Sequence, residues 1–292
     1  MIDHDWLAEQ FEGQRGHLRA VAYRMLGSLS EAEDAVQEAW FRLSRSYTDE
    51  IENLGGWLTT VVGRVSLDML RARKSRHEED IHVPDPIVSA ESGADPEHEA
   101  MLTDSVGLAM LVVLDTLAPA ERLAFVLHDM FAVPFEDIAP IVDRSAPATR
   151  QLASRARRRV QDAAPQPDPD VTRQRQVVNA FLAASRDGDF EALVAVLDPD
   201  VLLRADGGEA RPSWSKLLRG AQVVASNALM FSKIAAASVP VLVNGEAAVL
   251  GVAKDTVFSV MVFHVVDGRI VEINVVTDPD RLTDIDVAAL RA

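Results

Sequence analysis

The chain has no cysteine among its 292 residues. That excludes a disulfide framework, a thiolate zinc site and a cysteine nucleophile, and it fits a reducing, cytoplasmic compartment. Aromatic residues are scarce, at 5%, and both tyrosines, Tyr23 and Tyr47, fall in the N-terminal part. Long apolar runs are missing. The longest, Leu108 to Leu114, has seven residues, against the roughly 20 that span a bilayer, so no membrane partner is expected. The opening Met1-Ile2-Asp3-His4-Asp5 is acidic where a secretory signal would be basic. No Walker or Rossmann loop occurs, and no cofactor is expected. What is present is 48% apolar and 25% charged, enough to build cores in two or three domains at roughly 150 residues each.

The net charge of −16 argues at first against a phosphate-rich partner, but its distribution matters more. Arg64 to Arg76 carries five cations (Arg64, Arg71, Arg73, Lys74, Arg76) against one acid, Asp68. Arg144 to Arg159 carries six arginines and no acid. Between them, residues 77–100 hold eight acids and no Lys or Arg. Two basic blocks flank an acidic spacer.

Residues 5–76 read as helices. Trp6, Phe11, Leu18, Val21, Met25 and Leu26 recur at helical steps until Gly27 ends the pattern. Ser30 is the expected N-cap of a second helix that turns Ala35, Val36, Ala39, Trp40 and Leu43 inward. A third helix is expected over 56–73. The spacer 77–100, with Pro84, Pro86 and Pro96, reads as a linker lacking a regular core. Helices resume over 101–162. Residues 134–142, the turn Asp143-Arg144-Ser145 and a helix capped by Ser145 fit a helix-turn-helix. Its second helix should pack Thr149, Leu152, Ala153, Ala156 and Val160 and leave Arg150, Gln151, Ser154, Arg155 and Arg158 outward. After a second linker, 163–170, residues 171–292 change character. Two helical pieces divide at Asp187-Gly188, and apolar runs follow with Asn244-Gly245 and Asp267-Gly268 between them. Such dipeptides are strong hairpin signals, so this half is expected to be α+β with a curved antiparallel sheet.

In a helix-turn-helix, residues early in the second helix reach base edges and later ones meet phosphate. Arg150, Gln151 and Ser154 are the candidates for the first role, and Arg155, Arg157, Arg158 and Arg159 for the second. About five neutralised phosphates would give a log–log salt slope of about −4 to −5. The Arg64–Arg76 block shares its helix with Trp57, an aromatic-plus-basic pairing that suits unstacked bases. Each block also has a plainer reading as a solvated, dipole-matched helix end.

Taken together, these segments carry a resemblance. Ala32-Glu33-Asp34-Ala35-Val36-Gln37-Glu38-Ala39-Trp40, then Gly56-Trp57-Leu58 with its basic helix, then Leu117-Ala118-Pro119-Ala120-Glu121-Arg122 before the helix-turn-helix, resemble an extracytoplasmic-function (ECF) sigma factor of the sigma-70 family. The resemblance implies a multidomain chain. It would have a helical region 2 (5–76), an acidic linker (77–100), a helix-turn-helix region 4 (101–162) and a short linker (163–170). The expected partners are core RNA polymerase and promoter DNA. Asp34, Gln37, Glu38 and Trp40 would dock on the polymerase. Asn53, Trp57, Arg64, Arg71, Arg73, Lys74 and Arg76 would serve the −10 element; Arg150, Gln151, Ser154, Arg155 and Arg158 would serve the −35 element. The chain has Gly63-Arg64 where most of the family has Arg-Asn, so an Asn for the −10 base is missing.

Residues 171–292 resemble the SnoaL-like domain, a cone-shaped α+β fold, that one subgroup of these sigma factors carries as an intramolecular regulatory partner. That subgroup has a Trp-Leu-Pro-Glu-Pro linker motif, an Asp-Gly-Gly-Gly-Lys loop and an Asn-Pro-Asp-Lys-Leu tail. Here the counterparts are His82-Val83-Pro84-Asp85-Pro86, Asp206-Gly207-Gly208-Glu209-Ala210 and Asp278-Pro279-Asp280-Arg281-Leu282. The candidate regulatory residues are accordingly Pro84, Asp85, Pro86, Asp206, Gly207, Gly208, Asp278, Pro279, Asp280, Arg281 and Leu282.

Two rivals compete. SnoaL-like folds also host cyclases and isomerases with an Asp base and sometimes a Tyr donor. This domain has no Tyr, Asp206 reads first as a turn residue and His264 as a packed wall residue, so no enzyme is expected. Binding of an unnamed small-molecule ligand by Trp214, His264 and Asn274 stays open. A stand-alone repressor would use the helix-turn-helix but would have no use for the Asp34–Trp40 motif. His77, His82 and His98 have no regular spacing, and no metal is expected.

Overall fold

A computed structural model describes residues 4–45, 53–74, 81–90, 107–163, 168, 170–232, 237–253 and 256–290. The chain forms two compact units, 1–80 with 113–164, and 81–112 with 165–292.

The first unit is helical. α1 (His4–Leu26) ends at Gly27, whose φ of +71° supplies the left-handed cap that only glycine adopts cheaply. α2 runs Leu29–Arg45 and buries Ala32, Ala35, Val36, Ala39 and Leu43. Its cap is Ser28, whose hydroxyl accepts from the Glu31 amide at 3.4 Å, so the expected Ser30 cap is corrected. With Leu29 as the first helical residue, Ser28 is the serine whose oxygen can face the exposed amides. α3 (Leu54–Lys74) starts two residues earlier than expected because Asn53 caps it, accepting from the Gly56 amide at 3.0 Å. Leu58, Val62, Val65, Leu67 and Leu70 form its buried side.

α4 (Leu108–Asp115) divides between the units after Val112. α5 (Pro119–Phe125) opens with proline in its first turn and continues as a π turn over Val126–Met130. α6 (Phe135–Ile138) and α7 (Ala146–Ala163) complete the helix-turn-helix. Asp143 turns the chain at φ +54°. Thr149, Ala153, Ala156 and Val160 are buried and Leu152 half-buried, as the 3.6-residue period requires.

The second unit is α+β. α8 (Val171–Asp187) and α9 (Phe190–Val196) divide at Gly188, with Asp170 and Asp189 as N-caps. Among the described residues seven strands follow the order β1-β4-β5-β6-β7-β2-β3. They are β1 (Val88–Ser89), β2 (Leu197–Asp206), β3 (Lys216–Arg219), β4 (Ala237–Val243), β5 (Glu246–Ala253), β6 (Thr256–Val266) and β7 (Arg269–Val276). Both expected hairpins form. Asn244 and Gly245 (φ +50° and +82°) and Asp267 and Gly268 (φ +49° and +77°) have the two left-handed residues that match strand twist. The sheet is antiparallel as expected except at one pairing, where β2 runs parallel to β7. It enters beside the last strand straight from the helices rather than through a hairpin.

α8, α9 and α10 (Ala221–Ser232) build the core against one sheet face with Leu203, Ile273, Phe263 and Val249. Phe181 meets Phe263 edge-on at 5.4 Å between centroids. The opposite face carries the cross-strand row Val241, Ala248, Val262, Asn274 and Arg204. Most of it is buried too, which explains why β5 and β6 read as continuous apolar runs rather than alternating ones. Among the described residues no helix is long and apolar enough to cross a membrane.

Candidate nucleic-acid interface and regulatory site

On α2 three of the four candidate docking residues, Asp34, Gln37 and Glu38, share one stripe. Asp34 and Gln37 are exposed and Glu38 half-exposed, its carboxylate accepting from Arg42 Nε at 2.9 Å. Trp40 stands apart, tilted onto Phe11 with centroids 5.1 Å apart. The stripe continues to Phe41, which is 50% exposed. The sequence reading missed Phe41, although its spacing of i+3 from Glu38 and i+7 from Asp34 places it on that face.

On α3, Trp57, Arg64 and Arg71 recur every seven residues. That step returns to within about 20° of the same helix face, so an aromatic and two exposed cations form one strip. Arg73 lies elsewhere. Both terminal nitrogens donate to the Leu26 carbonyl at 3.2 Å and one pairs with Glu31. The carbonyl belongs to the last turn of α1, which has no partner within its own helix, so Arg73 acts as a C-terminal cap. Asn53 is likewise occupied in capping α3. Lys74 ends the helix, and Arg76 lies outside the described residues. Gly63, the point of departure from the family's Arg-Asn, is buried and about 100° round the helix from the strip.

On α7, Arg150, Gln151 and Arg158 are exposed and Ser154 half-buried. The Arg150 guanidinium lies 5.2 Å above the Phe135 ring, which also stacks with His128 at 3.7 Å. The remaining arginines have carboxylate partners within the unit. Glu121 takes Arg155 at 3.3 Å and Arg159 at 3.4 Å, and Asp129 takes Arg157 Nε at 2.8 Å. The basic block is therefore less free than its composition suggests.

In the second unit the fold gathers the three segments matched to the subgroup motifs. The Asp206 carboxylate accepts from the Val83 amide at 3.0 Å, the Gly208 amide at 2.9 Å and Arg281 at 2.7 Å, with His82 Nδ1 3.6 Å away. Arg281 also reaches Asp85 and the Val83 carbonyl. Burial pushes the Asp206 pKa up, but the His82 bond, the two amides and Arg281 outweigh it and hold it at about 2. A carboxylate so stabilised is a poor base at neutral pH.

Farther along, the spacer read as lacking a regular core joins the sheet. Ile87 and Asn244 exchange bonds of 3.0 Å, and β1 pairs with β4. Val83, Pro84, Pro86 and Ile87 are buried. Pro84 and Pro86 precede β1, so neither removes a donor from its pairing with β4. Gly207 and Gly208 are required by close approach: an added Cβ would lie 2.0 Å from the Arg211 carbonyl oxygen and 1.9 Å from Asp278 Oδ2, respectively. Asp278 caps the short helix α11 (Pro279–Leu282), which holds Arg281 in place. Of the remaining candidates, His264 is buried 3.3 Å from Glu246 Oε2 and, with Asn274, lies on the sheet face away from the helices. Trp214 sits in a separate turn under Arg211.

The arrangement is multidomain: helical modules with exposed arginines on α3 and α7, and an α+β domain that holds residues 81–90. Comparison with known proteins agrees. A model of sigma-70 region 2 matches residues 11–76 and one of sigma-70 region 4 matches 108–160. The ECF RNA polymerase sigma factor SigJ of Mycobacterium tuberculosis is 41% identical over 219 residues, 74% of this chain and 70% of that protein. A probable ECF RNA polymerase sigma factor of the same organism, SigI, is 34% identical over 285 residues, 97% of each chain. The crystal structure of SigJ overlays with a TM-score of 0.76 at 34% identity, covering 94% of this chain and 98% of that one. The chain belongs to the ECF RNA polymerase sigma factors.

Proposed function

We propose that the chain directs core RNA polymerase to promoters in the cytoplasm and that its C-terminal domain adjusts this activity in cis. Asp34, Gln37, Glu38 and Phe41 would meet the polymerase. Trp57, Arg64 and Arg71 would hold the opened −10 element. Arg150 and Gln151 would read the −35 element, with Arg158 on its backbone. The observation that carries the regulatory reading is the capture of residues 81–90 by Asp206, Asn244 and Arg281. The span of chain that must stretch between two DNA-reading modules is thereby tethered to a third domain. Run-off transcription with core polymerase tests this. Arg281→Gln in the full chain, and removal of 165–292, should each change output at a fixed promoter. Unchanged output in both would remove the regulatory claim, and no co-purification with core polymerase would remove the whole reading.

A further inference from the structure

The helix-turn-helix gives one of its arginines a different kind of neighbour. Arg155, Arg157 and Arg159 face carboxylates, whereas the Arg150 guanidinium stands 5.2 Å over the ring of Phe135. The difference is chemical. A carboxylate takes up the N–H donors with which arginine reads O6 and N7 of guanine; a ring face holds the cation by its quadrupole and leaves those donors unspent. Arg150 is exposed and is the fifth residue of α7, in the early stretch of a recognition helix that reaches base edges. The ring is itself held. Phe135 opens α6 and is 8% exposed. His128, from the π turn Val126–Met130, stacks on it with centroids 3.7 Å and planes 28° apart. The Val133 carbonyl lies 3.0 Å from His128 Nδ1. A carbonyl oxygen only accepts, so Nδ1 carries the proton, and the backbone leading into α6 sets the plane of the imidazole.

We infer that Phe135, steadied by His128, is a positioning residue for Arg150: it orients the guanidinium before DNA arrives and so sets a guanine preference at one position of the −35 element. An exposed arginine otherwise gives up side-chain freedom each time it is ordered on a base, and that loss is subtracted from binding. A cation–ring contact at an exposed site biases the population of the oriented form about 2- to 5-fold. That factor is the discrimination the ring should add. The functional consequence rests on the promoter reading above; the stack of side chains does not.

The test is competition, in the full chain with core polymerase, among promoter duplexes carrying each base pair in turn across the −35 element. Guanine should be preferred at one position, and Arg150→Ala should abolish that preference. Phe135→Leu keeps an apolar side chain but removes the π face. It should lower discrimination about 2- to 5-fold at that same position and leave the others alone. Phe135→Tyr should restore it, and Phe135→Leu added to Arg150→Ala should change nothing further, because the ring acts only through the arginine. His128→Ala, at a half-buried site where folding is safer, should act in the same direction to a smaller degree, with circular dichroism confirming the helices. Without DNA, the Arg150 Nε–H resonance of the free chain should be displaced by the ring and return toward its ordinary position in the Leu variant. A folded Phe135→Leu or His128→Ala chain that discriminates as the parent does, or that weakens every duplex alike, would overturn the positioning role. So would an Arg150 resonance that neither variant moves. Failure of every form to bind promoters with core polymerase would sink the promoter reading and leave the resonance result standing.

Discussion

Arg281 reaches back across 196 residues of chain to the carboxylate of Asp85. The same guanidinium bonds Asp206 at 2.7 Å and the Val83 carbonyl, so one planar fork ties the tail to the loop and to the linker. Arginine suits this position because its donors diverge in a fixed plane, which an ammonium cannot reproduce. Arg281→Lys should therefore weaken the tether although the charge is kept. Arg281→Met should cost about 3 kcal/mol, since it strands two largely buried carboxylates. Hydrogen exchange at the Val83 amide, with urea unfolding of the full chain, measures both. Equal protection in the Lys variant and the parent would show that charge alone holds the linker.

The low pKa of Asp206 makes the tether acid-sensitive in a defined direction. Its folded value, about 2, lies below the ordinary value of 3.8. The stabilisation it provides is complete above the ordinary value and is lost as pH falls through the folded one. Unfolding midpoints in urea should decline between about pH 4 and pH 2, the window those two values define. Asp206→Asn should flatten that decline and also lower stability at neutral pH, leaving Arg281 and His82 with a neutral partner. An identical slope in parent and variant would mean that other carboxylates dominate the window.

Glycine at 208 is demanded twice, by a φ of +60° and by the Asp278 carboxylate packed where a side chain would begin. Gly208→Ala should destabilise the second unit by at least about 2 kcal/mol, from left-handed strain of about 1–2 kcal/mol together with displacement of Asp278. Displacing Asp278 uncaps the helix that carries Arg281, so the same substitution should raise exchange at Val83. Glu209 and Ala210 are exposed and carry none of these contacts. A stable Gly208→Ala chain with a protected Val83 amide would show that the tail can shift without releasing the linker.

How much of this was legible in the sequence follows from the range of each interaction. The hairpins at Asn244-Gly245 and Asp267-Gly268 are local chemistry and were readable, as was the packed side of α7. β2 was not. Its Asp198-Pro199-Asp200 looks like a turn, yet the strand carries it through an irregularity between Leu197 and Leu202. β1 has two residues and no period of its own, and its partner lies in distant β4. The resemblance assigned Arg73 to the −10 element, and neither motif nor charge pattern says that its guanidinium caps the Leu26 carbonyl. The motif resemblance pointed to linker, loop and tail together, but only the fold shows that Arg281 and Asp206 join them.

The pairing of Arg155 and Arg159 with Glu121 sets the last expectation, which concerns salt. Five phosphate contacts from α7 would give a log–log slope of about −4 to −5. With Arg155, Arg157 and Arg159 already facing carboxylates, Arg150 and Arg158 are left to act first, and the slope should be nearer −2. Arg155 and Arg159 are more than half exposed, and pairs screened by solvent contribute little to stability, about 0–1 kcal/mol, so the near-isosteric Glu121→Gln should leave the fold intact. It should also release two arginines, steepen the slope by about 1–2 and tighten binding to unrelated duplexes. Arg158→Ala should weaken all sequences alike and flatten the slope by about 1, while Arg150→Ala or Gln151→Ala should change which −35 sequence is preferred. Fluorescence anisotropy with labelled duplexes, over a salt series and with core polymerase present, separates these effects. A slope that Glu121→Gln does not move would mean that phosphate already displaces the carboxylate in the bound state.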